Sequence, residues 1–207
     1  MVKFTRFTSL FVSLHLKRVE ASNSFPIVDF LSLLYQYTFM QASLEAFLSC
    51  LEIWDTFLDY LISQQEGSSP SSLHLRYADA LAALAQELTR RSQFATNAAV
   101  LCSLDAEESS AGVNDSELES YLEGCLNLIG KVSQLYPEKI LGTLAAVAER
   151  LSVFISTQPL SVSSEGIRLA QDAEASLRVF SQTVSGFVSA LSGLISFSLA
   201  SGACRHC

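Results

Sequence analysis

Apolar residues recur at helical spacing along most of the chain, and the densest run extends from Phe25 to Ile62. This run divides into two helices, because Pro26 suits a helix start, the apolar phase resets around Met40–Ala42, and Ser43 can cap a second helix. Each helix has one apolar face, formed in the first by Phe30, Leu33, Leu34 and Tyr37, and in the second by Phe47, Leu51, Trp54, Leu58 and Leu61.

The same periodicity predicts helices on both sides of this pair. A first helix spans about Phe4–Val19, and a fourth runs from Leu73 to about Phe94, followed by a shorter helical segment to Cys102. The expected buried positions are Phe7, Leu10, Phe11 and Leu14 in the first helix, and Tyr77, Leu81, Leu84 and Leu88 in the fourth.

Three more helices are predicted in the second half of the chain. Ser116 can cap the fifth, Pro137 begins the sixth, and the seventh runs from about Glu165 to beyond Phe197. Their apolar positions include Cys125, Val132 and Leu135 in the fifth helix; Leu141, Leu144, Val147, Leu151 and Phe154 in the sixth; and Leu177, Phe180, Val184, Phe187, Leu191 and Leu194 in the seventh.

The pattern indicates an all-α protein, because neither alternation at period two nor a hairpin turn signal occurs. About seven helices joined by short loops favour an α-solenoid of HEAT-type antiparallel helix pairs in a right-handed superhelical stack. We expect one continuous repeat region over residues 1–200 and an unstructured tail over 201–207. A globular helical bundle is the structural alternative.

Composition narrows the classes of function. The net charge of −8 disfavours nucleic acid as a partner and favours a basic protein surface. The five cysteines are widely spaced except at the C-terminus, which is typical of a reduced compartment. Phosphate-binding, zinc-protease and nucleophile-elbow motifs are absent, so we expect neither an enzyme nor a cofactor.

Two segments allow other interpretations. Cys204, His206 and Cys207 resemble part of a zinc site, but a fourth ligand at suitable spacing is missing, so we expect no metal. The uncharged stretch Val179–Ala203 is long enough to cross a bilayer, yet its serines and one-sided periodicity favour a core helix and no membrane contact.

Acidic side chains supply the candidate partner-binding site. Glu45, Glu52, Asp55 and Asp59 fall on one side of the third helix, and Lys and Arg are absent between Arg18 and Arg76. A second acidic patch contains Asp105, Glu107 and Glu108. Both patches can be solvated surface or docking surface for a basic partner.

Three segments carry a family resemblance: FVSLHLKRVE with FPIVDFLSLLYQYTF, then LEAFLSCLEIWDTFLDYL, then LHLRYADALAALAQEL. They resemble an exportin of the importin-β (karyopherin) superfamily. The resemblance implies HEAT-repeat architecture, export of actin–profilin together with the GTP form of the small GTPase Ran, contact with nuclear pore proteins, and shuttling between nucleus and cytoplasm. No motif residue of known function carries over.

The resemblance covers an interior part of a longer solenoid and fades toward the end, SFSLASGACRHC. The parent function therefore stays an expectation for this chain. The alternatives are a helical-repeat scaffold that binds a protein outside transport, and a membrane-anchored helical protein. Repeats without polar caps expose apolar faces, so we expect the isolated chain to associate or to be poorly soluble.

Overall fold

The computed structural model describes residues 2–22, 25–65, 72–107, 117–156 and 164–203. These residues form eight helices and no strand, which confirms the all-α class. The helices are α1 (Val2–Ser22), α2 (Ile27–Phe39), α3 (Leu44–Gln65), α4 (Ser72–Arg91), α5 (Phe94–Glu107), α6 (Glu117–Leu135), α7 (Pro137–Ser156) and α8 (Ser164–Ala203).

The helices stack in two layers. One layer runs α1, α3, α6 and α8, and the other runs α2, α4 and α7, each helix packing on the next in its layer. Contacts between the layers pair α2 with α3, α4 with α6, and α7 with α8. This arrangement of stacked helix pairs confirms the predicted helical-repeat solenoid.

The described structure has one helix more than the seven that the sequence predicted. This additional helix is α5, which the sequence indicated only as a short helical segment. The predicted end of the fourth helix near Phe94 is wrong, because α4 ends at Arg91 and Phe94 begins α5. The carboxylate of Asp172, on α8, accepts hydrogen bonds from the backbone N–H groups of Phe94 and Ala95, so a distant residue caps α5. The helix is kinked at Asn97, where φ is −142° and ψ is 30°.

The core is centred on α3. The predicted apolar stripes of α3 and α4 are buried throughout, as are most of the predicted positions of α6. Ser43 caps α3 as predicted, since its Oγ accepts a hydrogen bond from the Ala46 N–H at 3.3 Å. In α2 the predicted face is displaced, because the helix buries Ile27, Leu31, Leu34 and Thr38 while Leu33 is exposed.

The two end helices of the longer layer bury small or polar side chains and expose bulky ones. α1 buries Thr5, Thr8, Val12 and Leu16. Of its predicted face, Phe11 packs partly against the core, whereas Phe7, Leu10 and Leu14 point outward. On α8, the predicted positions Leu177, Phe180 and Val184 are exposed and Phe187 is half-buried, while Ala173, Ser176, Val179 and Thr183 are buried. The side chains of Leu191 and Leu194 lie outside the described ones. The phase predicted for both helices is therefore wrong.

Glycine allows the close approach of α8 to α6. A Cβ atom on Gly186 would lie 2.8 Å from the Gly130 carbonyl oxygen and 2.8 Å from Ser133 Cβ. The two helices therefore meet at a distance that a larger residue would not permit.

Among the helices that the structure describes, none is long and apolar enough to cross a membrane. The candidate zinc ligands at 204–207 and the cap at Ser116 lie outside the described residues. The division of the chain at residue 200 stays a prediction, and α8 continues to Ala203.

Candidate partner-binding site

The acidic side of α3 is built as the sequence predicted but is not uniform. Its four carboxylates share one side of a helix whose opposite stripe is fixed in the core by Phe47, Trp54 and Leu58. The structure separates them into two groups. Asp55 and Asp59 lie against α6, and Glu45 and Glu52 lie toward α1.

Asp55 and Asp59 are paired, contrary to the expectation from local sequence. The Lys131 ammonium group, on α6, lies 2.6 Å from Asp55 Oδ1 and 2.5 Å from Asp59 Oδ1. Asn127 adds a hydrogen bond from Nδ2 to Asp55 Oδ1 at 2.8 Å. These two carboxylates therefore hold α3 against α6 and are less available to a partner.

The charge of Lys131 is favoured at this position. Desolvation alone would lower the pKa of Lys131, but the hydrogen bonds and charges of Asp55 and Asp59 outweigh it and raise that pKa above its ordinary value. The lysine therefore remains protonated at neutral pH and can pair with both side chains.

Glu45 and Glu52 line a groove of about 650 Å³ between α1 and α3. Arg6, Ser9 and Leu10 form its α1 wall, and the turn 40–43 closes one end. Both glutamates are exposed, and neither forms an ion pair within the described residues. The groove therefore combines two exposed carboxylates and the Arg6 side chain with apolar surface, and its excess of acidic groups suits a basic segment with an apolar side chain.

The second acidic patch is only partly described. Asp105 is exposed in the last turn of α5, because this helix extends beyond its predicted end at Cys102. Glu107 ends the same helix, but its side chain is not among those described, and Glu108 lies outside the described residues. Their role as a docking surface stays a prediction.

Sequence reasoning missed the partners that divide the site. Lys131 and Asn127 lie 72 residues beyond Asp59 and Asp55 respectively, so local spacing carries no signal for these contacts. Arg6 of the groove was equally invisible, since only the packing of α1 on α3 brings it near Glu45.

Cys50 and Cys125 are fully buried in the core. Burial raises the pKa of Cys50 to about 11 and that of Cys125 to about 12, so both thiols stay protonated at neutral pH. Within the described ranges, no group of three or more His, Cys, Asp or Glu side chains is placed to hold a metal ion.

Comparison with known proteins adds a sequence relationship over most of the chain. Exportin-6 of Dictyostelium discoideum is 44% identical over 147 residues, which cover 69% of this chain and 14% of that protein. Human Exportin-6 is 41% identical over 181 residues, covering 85% of this chain and 16% of its relative. Exportin-6-B of Xenopus laevis is 42% identical over 159 residues, which cover 75% of this chain and 14% of that protein.

The matched region is a small part of each relative, 14–16% of its length. No protein-family model matches the chain. No solved structure matches it either.

Proposed function

The chain belongs to the exportin-6 family, and from this we propose that it acts as part of a nuclear export receptor. The observation that carries the proposal is the identity of 40–44% to relatives from a slime mould, fish, frogs and mammals over 147–181 residues. The stack of helix pairs agrees with the repeat architecture of such receptors.

The resemblance further suggests the cargo and the cycle. We expect the receptor to bind actin–profilin together with GTP-bound Ran, to contact nuclear pore proteins, and to shuttle between nucleus and cytoplasm. The net charge of −8 supports a protein partner with basic surface rather than nucleic acid.

Within the chain, the groove of Glu45 and Glu52 is the surface that we assign to partner contact. α3 is the second helix of its pair, and the resemblance implies that such helices line the concave, cargo-facing side of the receptor. The two carboxylates are exposed, whereas Asp55 and Asp59 are held by Lys131. We therefore expect partner binding to depend more on Glu45 and Glu52 than on Asp55 and Asp59.

A segment exchange tests the receptor function. The matched 181 residues of human Exportin-6 are replaced by those of this chain, and the chimera is expressed in cells depleted of the endogenous receptor. We expect nuclear actin to fall to the level that the unaltered receptor restores, and purified chimera to capture actin–profilin with GTP-loaded Ran but not with GDP-loaded Ran. A folded chimera that captures neither protein would instead support a scaffold outside transport.

The groove is tested in the same chimera by Glu45→Lys with Glu52→Lys. The two introduced lysines would repel a basic segment of the partner. They should weaken capture of actin–profilin by about tenfold or more at low salt and make the affinity less dependent on salt. Glu149→Lys, an exposed reversal on α7, is the matched control and should leave capture unchanged. Equal affinity of the double variant and the control at low salt would reject the groove without touching the receptor proposal.

A further inference from the structure

The cleft between α1 and α3 opens on a broad face of the stack, away from the layer of α2, α4 and α7. On α1, the ring of Phe4 points toward that layer, where its centroid lies 5.1 Å from the centroid of the Tyr37 ring. Arg6 lines the cleft from the other side of α1, because two residues turn a helix by about 200°. The cleft therefore opens sideways from the stack and not along the direction in which the helices follow one another.

This cleft is the groove of about 650 Å³ described above, and its dimensions suit a short piece of chain. Three small, half-buried side chains lie along it, Ser9, Ala46 and Ser49. On the α3 wall, Glu45 and Glu52 stand seven residues apart, which is about 10 Å along the helix axis. About three residues of extended chain cover this length.

The two walls of the groove carry opposite charges that do not pair with each other. Arg6 lies on the α1 wall, and Glu45 and Glu52 lie on the α3 wall. All three side chains are exposed, and none of them forms an ion pair with any residue that the structure describes. Each of the three charges is therefore available to a group of another molecule.

The other clefts of the same layer are bridged by ion pairs. Lys131 of α6 pairs with Asp55 and Asp59 of α3, and Arg178 of α8 pairs with Glu119 of α6 at 2.7 Å. Between α1 and α3, by contrast, the described part of the chain contains no ion pair, although both signs of charge are present. The complement of this cleft is a surface that brings both signs of charge with it.

We propose that the groove binds a bipolar segment of a partner protein, in which one acidic residue stands between two basic residues. The basic side chains pair with Glu45 and Glu52, and the acidic side chain pairs with Arg6. The inference rests on the assignment of this groove to partner contact under the proposed function. It adds that a basic segment alone is a poorer ligand than a segment with both signs of charge.

An extended backbone places such a segment correctly between the walls. Successive side chains of an extended chain point to opposite sides, and alternate side chains lie about 7 Å apart on the same side. The two basic side chains therefore reach the α3 wall, while the carboxylate between them reaches the α1 wall. The hydroxyl groups of Ser9 and Ser49 can hydrogen-bond to the backbone of the segment, and the exposed Met40 can cover the aliphatic part of a basic side chain.

Three end-blocked fluorescent peptides test the requirement for both signs of charge. They share Gly-Ser flanks and differ in their centre, which is Arg-Asp-Arg, Arg-Gly-Arg or Arg-Arg-Arg. Each is titrated with the full chain at low salt, and binding is followed by fluorescence anisotropy. The net charge of −8 alone would favour Arg-Arg-Arg. We expect instead that Arg-Asp-Arg binds most tightly, about fivefold more tightly than Arg-Gly-Arg, because only its carboxylate pairs with Arg6.

Charge reversals in the chain identify the two walls. Arg6→Glu should invert the preference, so that Arg-Arg-Arg binds more tightly than Arg-Asp-Arg, because the middle side chain then faces a carboxylate. Glu45→Lys with Glu52→Lys should weaken the binding of Arg-Asp-Arg by about tenfold or more. Lys17→Glu makes the same change of charge at an exposed position of α1 outside the groove, and this matched control should keep the preference of the parent chain. Circular dichroism on each variant verifies that the helices persist.

The outcomes separate this inference from the proposed function. A parent chain that ranks the peptides by their positive charge would overturn the bipolar segment and leave a purely acidic docking surface. A preference for Arg-Asp-Arg that persists in Arg6→Glu would overturn it as well, and so would the absence of binding by all three peptides. The receptor function is judged independently, by Ran-dependent capture of actin–profilin in the chimera.

Discussion

Trp54 donates its indole N–H to Thr38 Oγ1 at 3.0 Å, across the interface between α3 and α2. Both side chains are buried, and the Thr38 hydroxyl in turn donates to the Leu34 carbonyl at 2.8 Å. The core can therefore bury the Trp54 side chain, its largest aromatic group, because the neighbouring helix supplies a hydrogen-bond acceptor for the indole N–H.

Thr38→Val should destabilise the chain by about 1–3 kcal/mol, because a side chain of similar shape leaves the indole N–H buried without an acceptor. Urea unfolding followed by far-ultraviolet circular dichroism measures the loss. Thr56→Val, on the exposed side of α3, removes a comparable bond to the Glu52 carbonyl and is the control. Trp54→Phe in the Thr38→Val background should cost less than the two single changes added together; strict additivity would contradict the coupling.

Gly186→Ala and Gly142→Ala should change stability in opposite directions. The first places a Cβ 2.8 Å from atoms of α6 and should cost about 1–3 kcal/mol, because backbone cannot yield as a flexible side chain does. The second has nothing within 4 Å of its Cβ and should stabilise α7 by up to about 1 kcal/mol through helix propensity. Thermal unfolding of both variants measures the contrast, and a loss at both positions would argue against the close α6–α8 contact.

Lys131→Met should cost about 1 kcal/mol and make stability more dependent on salt. Without the ammonium group, Asp55 and Asp59 repel each other four residues apart on α3, and added salt screens that repulsion. Lys139→Met is the control, because its pair with Asp79 is exposed to solvent and should contribute little to stability. Urea unfolding at low and high salt compares them; equal costs would place the Lys131 cluster among ordinary surface pairs.

Alkaline pH should weaken the fold. Burial raises the pKa of Cys50 to about 11 and of Cys125 to about 12, from an ordinary 9.0. The stabilising contribution of each buried thiol is complete below pH 9 and is lost as the pH rises toward the pKa of that thiol in the folded chain, because the thiol of the unfolded chain ionises first. The free energy of unfolding then falls by up to about 1.4 kcal/mol per pH unit for each group.

The free energy of unfolding should therefore fall between pH 9 and pH 11, as measured by urea unfolding at several pH values. Cys125→Ala should make this decline less steep, whatever its effect at neutral pH. An unchanged slope in that variant would assign the decline to other groups.

The sequence predicts the middle of the stack better than its ends. On α3 and α4, the apolar residues are buried as expected, since helices pack around them on several sides. On α1 and α8, periodicity identified real stripes but not which side of the helix has a neighbour. Leu14 and Phe180 were expected inside because a pattern of side chains says nothing about what lies opposite.

The sequence predicted which carboxylates share one side of α3 but not which residues of other helices contact them. Helical spacing placed Glu45, Glu52, Asp55 and Asp59 on one side of α3 correctly. It could not show that Lys131 approaches the last two, because that contact depends on the packing of α3 on α6. The kink at Asn97, inside α5, likewise had no local signal such as a proline.

The cap that Asp172 provides for α5 has a consequence for the order in which the chain matures. The amides of Phe94 and Ala95 find their acceptor 77–78 residues later in the sequence. During synthesis, α5 therefore emerges with an incomplete N-terminus that is satisfied only when α8 has left the ribosome and docked. Hydrogen exchange at these two amides, followed through refolding, reports the moment at which α8 joins the stack.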